Sequence, residues 1–211
     1  MRRDRTKRHN LVRNVGVRLA SAAGWRSEPE KPGLLRPRPA CGSRGEDGSE
    51  IREGTRGPEA RRPADIYVPR WDLGGSAALD FAVTSGLRTD LLEQTAADGS
   101  SGLVSYEHTK RAFLDTAAHC ASEGMAFVPM VVDAHSGAWG PAAAKVWLRL
   151  GKAVSLVSGE STALEALRAL QNLGLTLHRE TARAILRRAP DREGNGCGDA
   201  ARALLCNPIP S

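Results

Sequence analysis

The chain has 211 residues, 41% of them hydrophobic and 26% charged, which suggests one ordinary domain with extensions rather than two full ones. Thirty lysines and arginines against twenty-four acids leave a net charge of +6, and only five of the basic residues are lysine. Arginine excess suits bidentate contacts to phosphate, although the base composition of a gene produces the same bias.

Cys41, Cys120, Cys197 and Cys206 form no C-x-x-C pair, so neither a zinc ribbon nor a disulfide framework is indicated, and free thiols in a reducing compartment are expected. The longest apolar run, Met125 to Val132, is far too short to span a bilayer. The N-terminus has no continuous apolar core, so a nuclear or cytoplasmic rather than secreted protein is expected. Residues 1–8 read as a solvated basic arm able to touch phosphate, with a basic organelle presequence as the alternative.

From Asn10 to Ala23, Leu11, Val12, Val15, Leu19, Ala22 and Ala23 fall on one helical face, and Gly24 is a natural stop. Trp25 to Lys31 reads as a short extended segment. There Glu28 and Glu30 share one side, either as solvated edge residues or with Glu30 as an auxiliary member of a site. Residues 36–62 are dominated by Pro, Gly, Arg, Glu and Ser and read as a disordered insertion, because such a segment buries too little to offset its ordering entropy.

Ile66 to Val68 and Leu79 to Thr84 are β-branched and aromatic stretches flanking a Gly-Gly turn, and they predict a hairpin folded about Leu73. That fold sets Asp65 across from Asp80 or its immediate neighbour. Two acids held side by side suit a hard divalent cation such as Mg2+. Alternation puts Leu79, Phe81 and Val83 on one face and Asp80, Ala82 and Thr84 on the other.

Residues 88–102 look like a mobile loop, and a helix is expected from Leu103 to Glu123, with Tyr106, Lys110, Phe113, Ala117 and Cys120 on one stripe. Lys110 therefore faces the sheet, where it snorkels, pairs with an acid, or serves chemistry. Glu107, off that stripe, is expected to be solvated. Met125 to Ala134 reads as a strand with a bulge or an edge at Pro129. A helix follows from Pro141 to Val157, with Val146, Leu150 and Val154 as its core stripe.

Thr162 and Glu165 fit a capping box for a further helix that Gly174 ends. Leu177 to Arg188 then predicts another helix, whose Arg179, Arg183 and Arg187 make a basic ridge, either solvated or set against a nucleic-acid backbone. Residues 158–189 thus read as a helical extension and residues 190–211 as a flexible tail.

The expected α/β order is helix, strand, two-stranded hairpin, helix, strand and helix. This α-β-β-β-α-β plan, with Pro63-Ala64-Asp65 and then Asp80, resembles the PD-(D/E)xK nuclease superfamily. The setting of Lys110 in Y-E-H-T-K, and F-V-P-M-V-V-D-A-H-S-G-A-W-G after it, is similar to the restriction-like endonuclease domain of non-LTR retrotransposons. An alanine separates Pro63 from Asp65, and Ala82 stands where the superfamily has its strand lysine.

The resemblance, over about residues 9–155, implies a restriction-endonuclease-like core with a mixed sheet, taken as a domain of residues 9–157 and followed by C-terminal helices. It also implies metal-dependent hydrolysis of DNA phosphodiesters. Asp65 and Asp80 would hold Mg2+ or Mn2+, Lys110 would be the catalytic ammonium, and Tyr106 and Glu30 would be auxiliary. The partner implied besides DNA is a reverse transcriptase module encoded elsewhere, with no membrane.

Each residue has an ordinary alternative as well: Asp80 beside a backbone amide, Asp65 in a turn, Lys110 snorkelling. His135, at a strand end, is a weaker candidate for phosphate. Two other readings of the whole chain stand beside the nuclease, an inactive nucleic-acid-binding remnant and a non-catalytic interaction protein.

Overall fold

The structure is a computed structural model and describes residues 2–35, 64–72 and 75–187. The expected disordered insertion at 36–62, the hairpin turn at Leu73 and the expected tail at 190–211 lie outside the described residues.

The first helix, α1, runs Arg2–Ala22, so the segment expected to be a free arm continues the helix. Arg8 donates to the Thr181 hydroxyl at 3.2 Å, and Asp4 accepts from the Arg187 guanidinium at 2.8 and 3.0 Å. Those contacts hold the first turns against the far end of the chain, which a periodicity search over apolar residues alone does not register. At the other end Gly24 sits at φ +72°, its amide bonds Ser21 O, and the Trp25 amide bonds Ala20 O. This pair of bonds is a Schellman closure, which needs the left-handed residue that glycine supplies.

Four strands follow: β1 (Glu28–Pro29), β2 (Ile66–Asp72), β3 (Gly75–Thr84) and β4 (Met125–Asp133). They form one mixed sheet in the order β1-β2-β3-β4, with β1–β2 and β2–β3 antiparallel and β3–β4 parallel. Pro129 pairs in unbroken register with Asp80, and no bulge forms there. Its missing N–H is harmless because β4 is an edge strand.

Between β3 and β4 the expected mobile loop contains α2 (Leu92–Ala97), and the single expected helix is two, α3 (Ser101–Ala112) and α4 (Thr116–Ser122). They are parted by a tight turn in which Leu114 and Asp115 both take φ +53°. The break rotates Phe113 off the expected stripe, leaving it 62% exposed.

After β4 come α5 (Pro141–Ser158) and α6 (Thr162–Leu186). Helix α6 begins one residue earlier than the expected capping box, with the Ser161 hydroxyl accepting the Leu164 amide at 3.2 Å. It runs straight through Gly174, where two helices were expected. A mid-helix glycine costs only about 1 kcal/mol, and Leu173 and Leu177 on either side of it are fully buried. Rather than an appended extension, α6 is part of the core: its Leu173 and Leu177 pack with Val12 and Val15 of α1 and Trp147 and Leu150 of α5. A Cβ added at Gly151 would lie 2.9 Å from the Ala166 Cα, so glycine is what lets α5 and α6 approach so closely.

The sheet is covered on both faces. Ile66, Val68, Leu79, Phe81, Met130 and Val132 face α1, α5 and α6. Phe81, Trp139 and Trp147 meet there as three ring pairs with centroids 5.1 to 6.4 Å apart, each worth about 1 kcal/mol beyond its burial. On the opposite face Ala78, Met125 and Phe127 pack with Cys120 of α4, and Ala82 and Val131 pack with Leu103 of α3. Among the described residues no helix is long and apolar enough to cross a membrane.

Candidate active site

Strand register brings the two acids together. Ile66 pairs with Leu79, and the Asp65 amide bonds Leu79 O at 3.0 Å, so Asp65, one residue before β2, lies across from the Leu79–Asp80 stretch of β3. Asp80 shares its face of β3 with Ala82, against which Leu103 of α3 packs. That face is the one covered by α3, and Lys110 reaches down from the helix to bond Asp80 Oδ2 at 2.8 Å. The expected convergence of Asp65, Asp80 and Lys110 on one place beside the sheet is therefore what the chain adopts. The side chains of Asp80 and Lys110 retain 18% and 27% of their exposure, so the pair opens to solvent on one side.

Asp65 is held from two directions. Its Oδ2 accepts the Phe81 amide at 2.7 Å, standing in for backbone where the β2 ladder runs out, and its Oδ1 meets His9 Nε2 at 3.1 Å. Burial pushes the Asp80 carboxyl above the ordinary aspartate range; the Lys110 charge and hydrogen bond pull it back, Asp65 pushes it up again, and His9 eases it. For Lys110 burial pulls the ammonium down, but the charge and hydrogen bond of Asp80 outweigh it and hold the group above its usual value. A desolvated acid that needs a cation beside it is a feature shared by functional sites and by structural ion pairs.

As a donor set, two carboxylates are hard oxygen ligands. Among the described residues no group of three or more His, Cys, Asp and Glu side chains is placed to hold a metal ion.

The other expected residues divide. Tyr106 lies one turn before Lys110 and packs on Ala82, Leu103 and Val131, beside the site. Glu30 does not join it: although the Glu30 amide bonds Asp65 O at 2.9 Å, its side chain turns away to an ion pair with Arg13. The basic ridge is not a free cationic face, because Arg183 pairs with Glu180 of its own helix and Arg187 with Asp4 of α1. Arg179 also makes a contact of its own. His135 is exposed beyond the end of β4.

Three functional or shaping residues escaped the sequence reading. His9 shares a helical stripe with Val12 and Gly16, and a Cβ at Gly16 would touch Phe81, so that stripe faces the sheet. Starting the helix at Asn10 left His9 out by one position. Glu107, expected to be solvated, is 7% exposed and accepts the Ala142 amide at 2.9 Å. It serves the first turn of α5, whose Gly140 and Pro141 offer no side-chain cap.

Asp133 ends β4 and gathers the amides of Gly86, His135 and Ser136 and the Ser136 hydroxyl at 2.7 to 3.0 Å. Burial alone would raise its pKa, but these bonds outweigh it and hold the carboxyl below the usual range. The D-A-H-S-G spacing is an aspartate-turn signal that could have shown this.

Compared with known proteins, the chain matches no family model and no curated protein.

Proposed function

We propose that the protein is a metal-dependent endonuclease with a restriction-endonuclease-like core, hydrolysing DNA phosphodiester bonds at the Asp65, Asp80 and Lys110 site. What supports the reading is this convergence: Asp80 on β3, Asp65 just before β2 with its carboxylate on the Phe81 amide, and a lysine from the covering helix, partly open to solvent.

Asp65 and Asp80 are the residues that would hold Mg2+ or Mn2+. When bound, the cation supplies Lewis-acid polarisation of a phosphoryl oxygen and acidifies water. Lys110 is a compact ammonium with three donors, able to exchange its contact to Asp80 for one to a phosphate oxygen or an attacking water. Hydrogen bonds from His9 and from the Phe81 amide fix the orientation of the Asp65 carboxylate. The resemblance to the nuclease domain of non-LTR retrotransposons supports DNA as substrate and a reverse transcriptase module as partner.

One observation favours a second reading, a catalytically inactive nucleic-acid-binding remnant: Asp80 and Lys110 already satisfy one another. Asp80→Ala separates the two. It should abolish Mg2+-dependent nicking of plasmid DNA while leaving the far-ultraviolet circular dichroism native; equal nicking by wild type and variant would remove Asp80 from the chemistry.

A further inference from the structure

Asp65 lies just before β2, and two donors from different parts of the fold converge on its carboxylate. The Phe81 amide bonds Oδ2 at 2.7 Å, and His9 Nε2 meets Oδ1 at 3.1 Å. An ionised carboxylate only accepts, so the His9 ring turns an Nε2–H toward it. The two oxygens together offer about four lone pairs. The fold occupies one on each, and the seated donors set the direction of the lone pairs that remain.

His9 is itself firmly placed. It shares the sheet-facing stripe of α1 with Val12 and Gly16, and a Cβ at Gly16 would lie 3.0 Å from Phe81 Cζ. The residue before it, Arg8, donates to Thr181 of α6 at 3.2 Å, and Asp4, earlier in the helix, accepts from Arg187 at 2.8 and 3.0 Å. The imidazole is therefore delivered by a helix pinned on both sides, the kind of support that holds a ligand in one orientation. Asp80 feels the charge of His9 as well as that of Asp65, so the three groups share one place.

Stability alone gives little reason for the contact. The side chains of His9 and Asp65 keep 28% and 19% of their exposure, so burial does not force them together. A partly exposed pair of this kind contributes little to folding. What the bond achieves is the orientation of the acid.

We infer that His9 is a positioning residue of the acid site: its Nε2–H turns Asp65 so that a preset lone pair meets a divalent cation, which raises the affinity of the site without His9 touching the ion. This rests on the metal-binding part of the reading above. Outer partners of a metal ligand contribute about 10- to 100-fold in metal affinity. At 19% exposure water can replace part of what His9 supplies, so a loss of about tenfold, the low end of that range, is expected.

The test uses the full chain with Mn2+ as the probe, free ion being counted by electron paramagnetic resonance. His9→Phe keeps a ring without a donor, and His9→Asn carries an amide that stops short of Asp65. Each should weaken Mn2+ binding about tenfold with native far-ultraviolet circular dichroism. His9→Gln brings an amide N–H close to the place of Nε2 and should restore most of the loss. In plasmid nicking, the half-saturating Mg2+ concentration should rise by the same factor in His9→Asn, with the saturated rate falling by less.

Equal Mn2+ affinity in wild type, His9→Asn and His9→Gln overturns the inference, and nicking by the wild type then leaves the nuclease standing. Affinity that falls in His9→Asn and returns in His9→Gln, in a chain that never nicks, upholds the role of His9 and overturns the nuclease. A nitrogen hyperfine coupling to bound Mn2+ that vanishes in His9→Asn makes the imidazole a ligand and overturns the positioning role. Absence of Mn2+ binding by the wild type overturns both the metal site and this role.

Discussion

Replacing Lys110 by methionine keeps the length of the side chain and removes its charge, so the cost reports what the ion pair does for Asp80. The pair is neither exposed nor fully enclosed, at 18% and 27% side-chain exposure and 2.8 Å separation. Exposed pairs contribute about 0 to 1 kcal/mol, and breaking a buried pair costs about 3 to 5 kcal/mol. A loss of roughly 2 kcal/mol at neutral pH follows from lying between those limits. For a chain of this size it lowers Tm by about 4 to 8 °C.

The loss must also depend on pH. Asp80 already has a folded-state pKa raised by burial. Such an acid favours folding below its unfolded pKa, and that contribution is lost as pH rises through the folded value. Without Lys110 the folded value moves higher still, so the gap between wild type and variant should be small near pH 4 and widen toward about pH 8. Thermal melts across that range read it directly. A gap that stays constant with pH, or no gap at all, would show that Asp80 does not depend on Lys110.

Asp65→Ala strips the Phe81 amide of its acceptor and should cost about 1 to 3 kcal/mol in urea unfolding, whereas Asp65→Asn keeps an oxygen there and should cost less. Both should lose Mg2+-dependent nicking, so activity and stability part company in the asparagine variant. Glu107→Ala should lower stability by about 1 kcal/mol, the size of a lost helix cap, with nicking retained, because Glu107 bonds the first turn of α5 rather than the acids.

The hairpin was legible because alternating apolar residues flank a glycine-rich stretch, but the pairing beside the acids was not, since the register shifts between Val68 and Asp72 and the Asp72–Gly75 pairing does not by itself say what lies across from Asp65. Lys110 was legible from helical spacing: a charge on an otherwise apolar stripe has to meet a partner. What could not be read were contacts made across long stretches of chain. Nothing near Gly174 announces that Leu173 and Leu177 will be buried against α1 and α5, so tertiary packing overrode the stop signal.

The first turns of α1 are charged and carry no apolar pattern. Asp4 and Arg8 are tied to Arg187 and Thr181, more than 170 positions away. The ion pairs along the arginine ridge were hidden for a related reason: spacing shows which residues share a face, not that Asp4 of another helix lies against Arg187. The kink at Leu114 and Asp115 has no glycine or asparagine to mark it, and the tertiary fold imposes two left-handed residues there.

The most direct measurement is plasmid nicking by the purified chain as Mg2+ is titrated from a chelated start, with Lys110→Ala alongside. The expected result is no nicking in chelator and a rate that rises with Mg2+ and saturates in the wild type. The variant should respond over a similar Mg2+ range at a rate lower by about a hundredfold, the loss typical of one electrostatic contact in a transition state. Nicking that persists in chelator, or a wild type as inert as the variant at every Mg2+ concentration, would contradict the assignment of Asp65, Asp80 and Lys110 as a metal-dependent phosphodiesterase site.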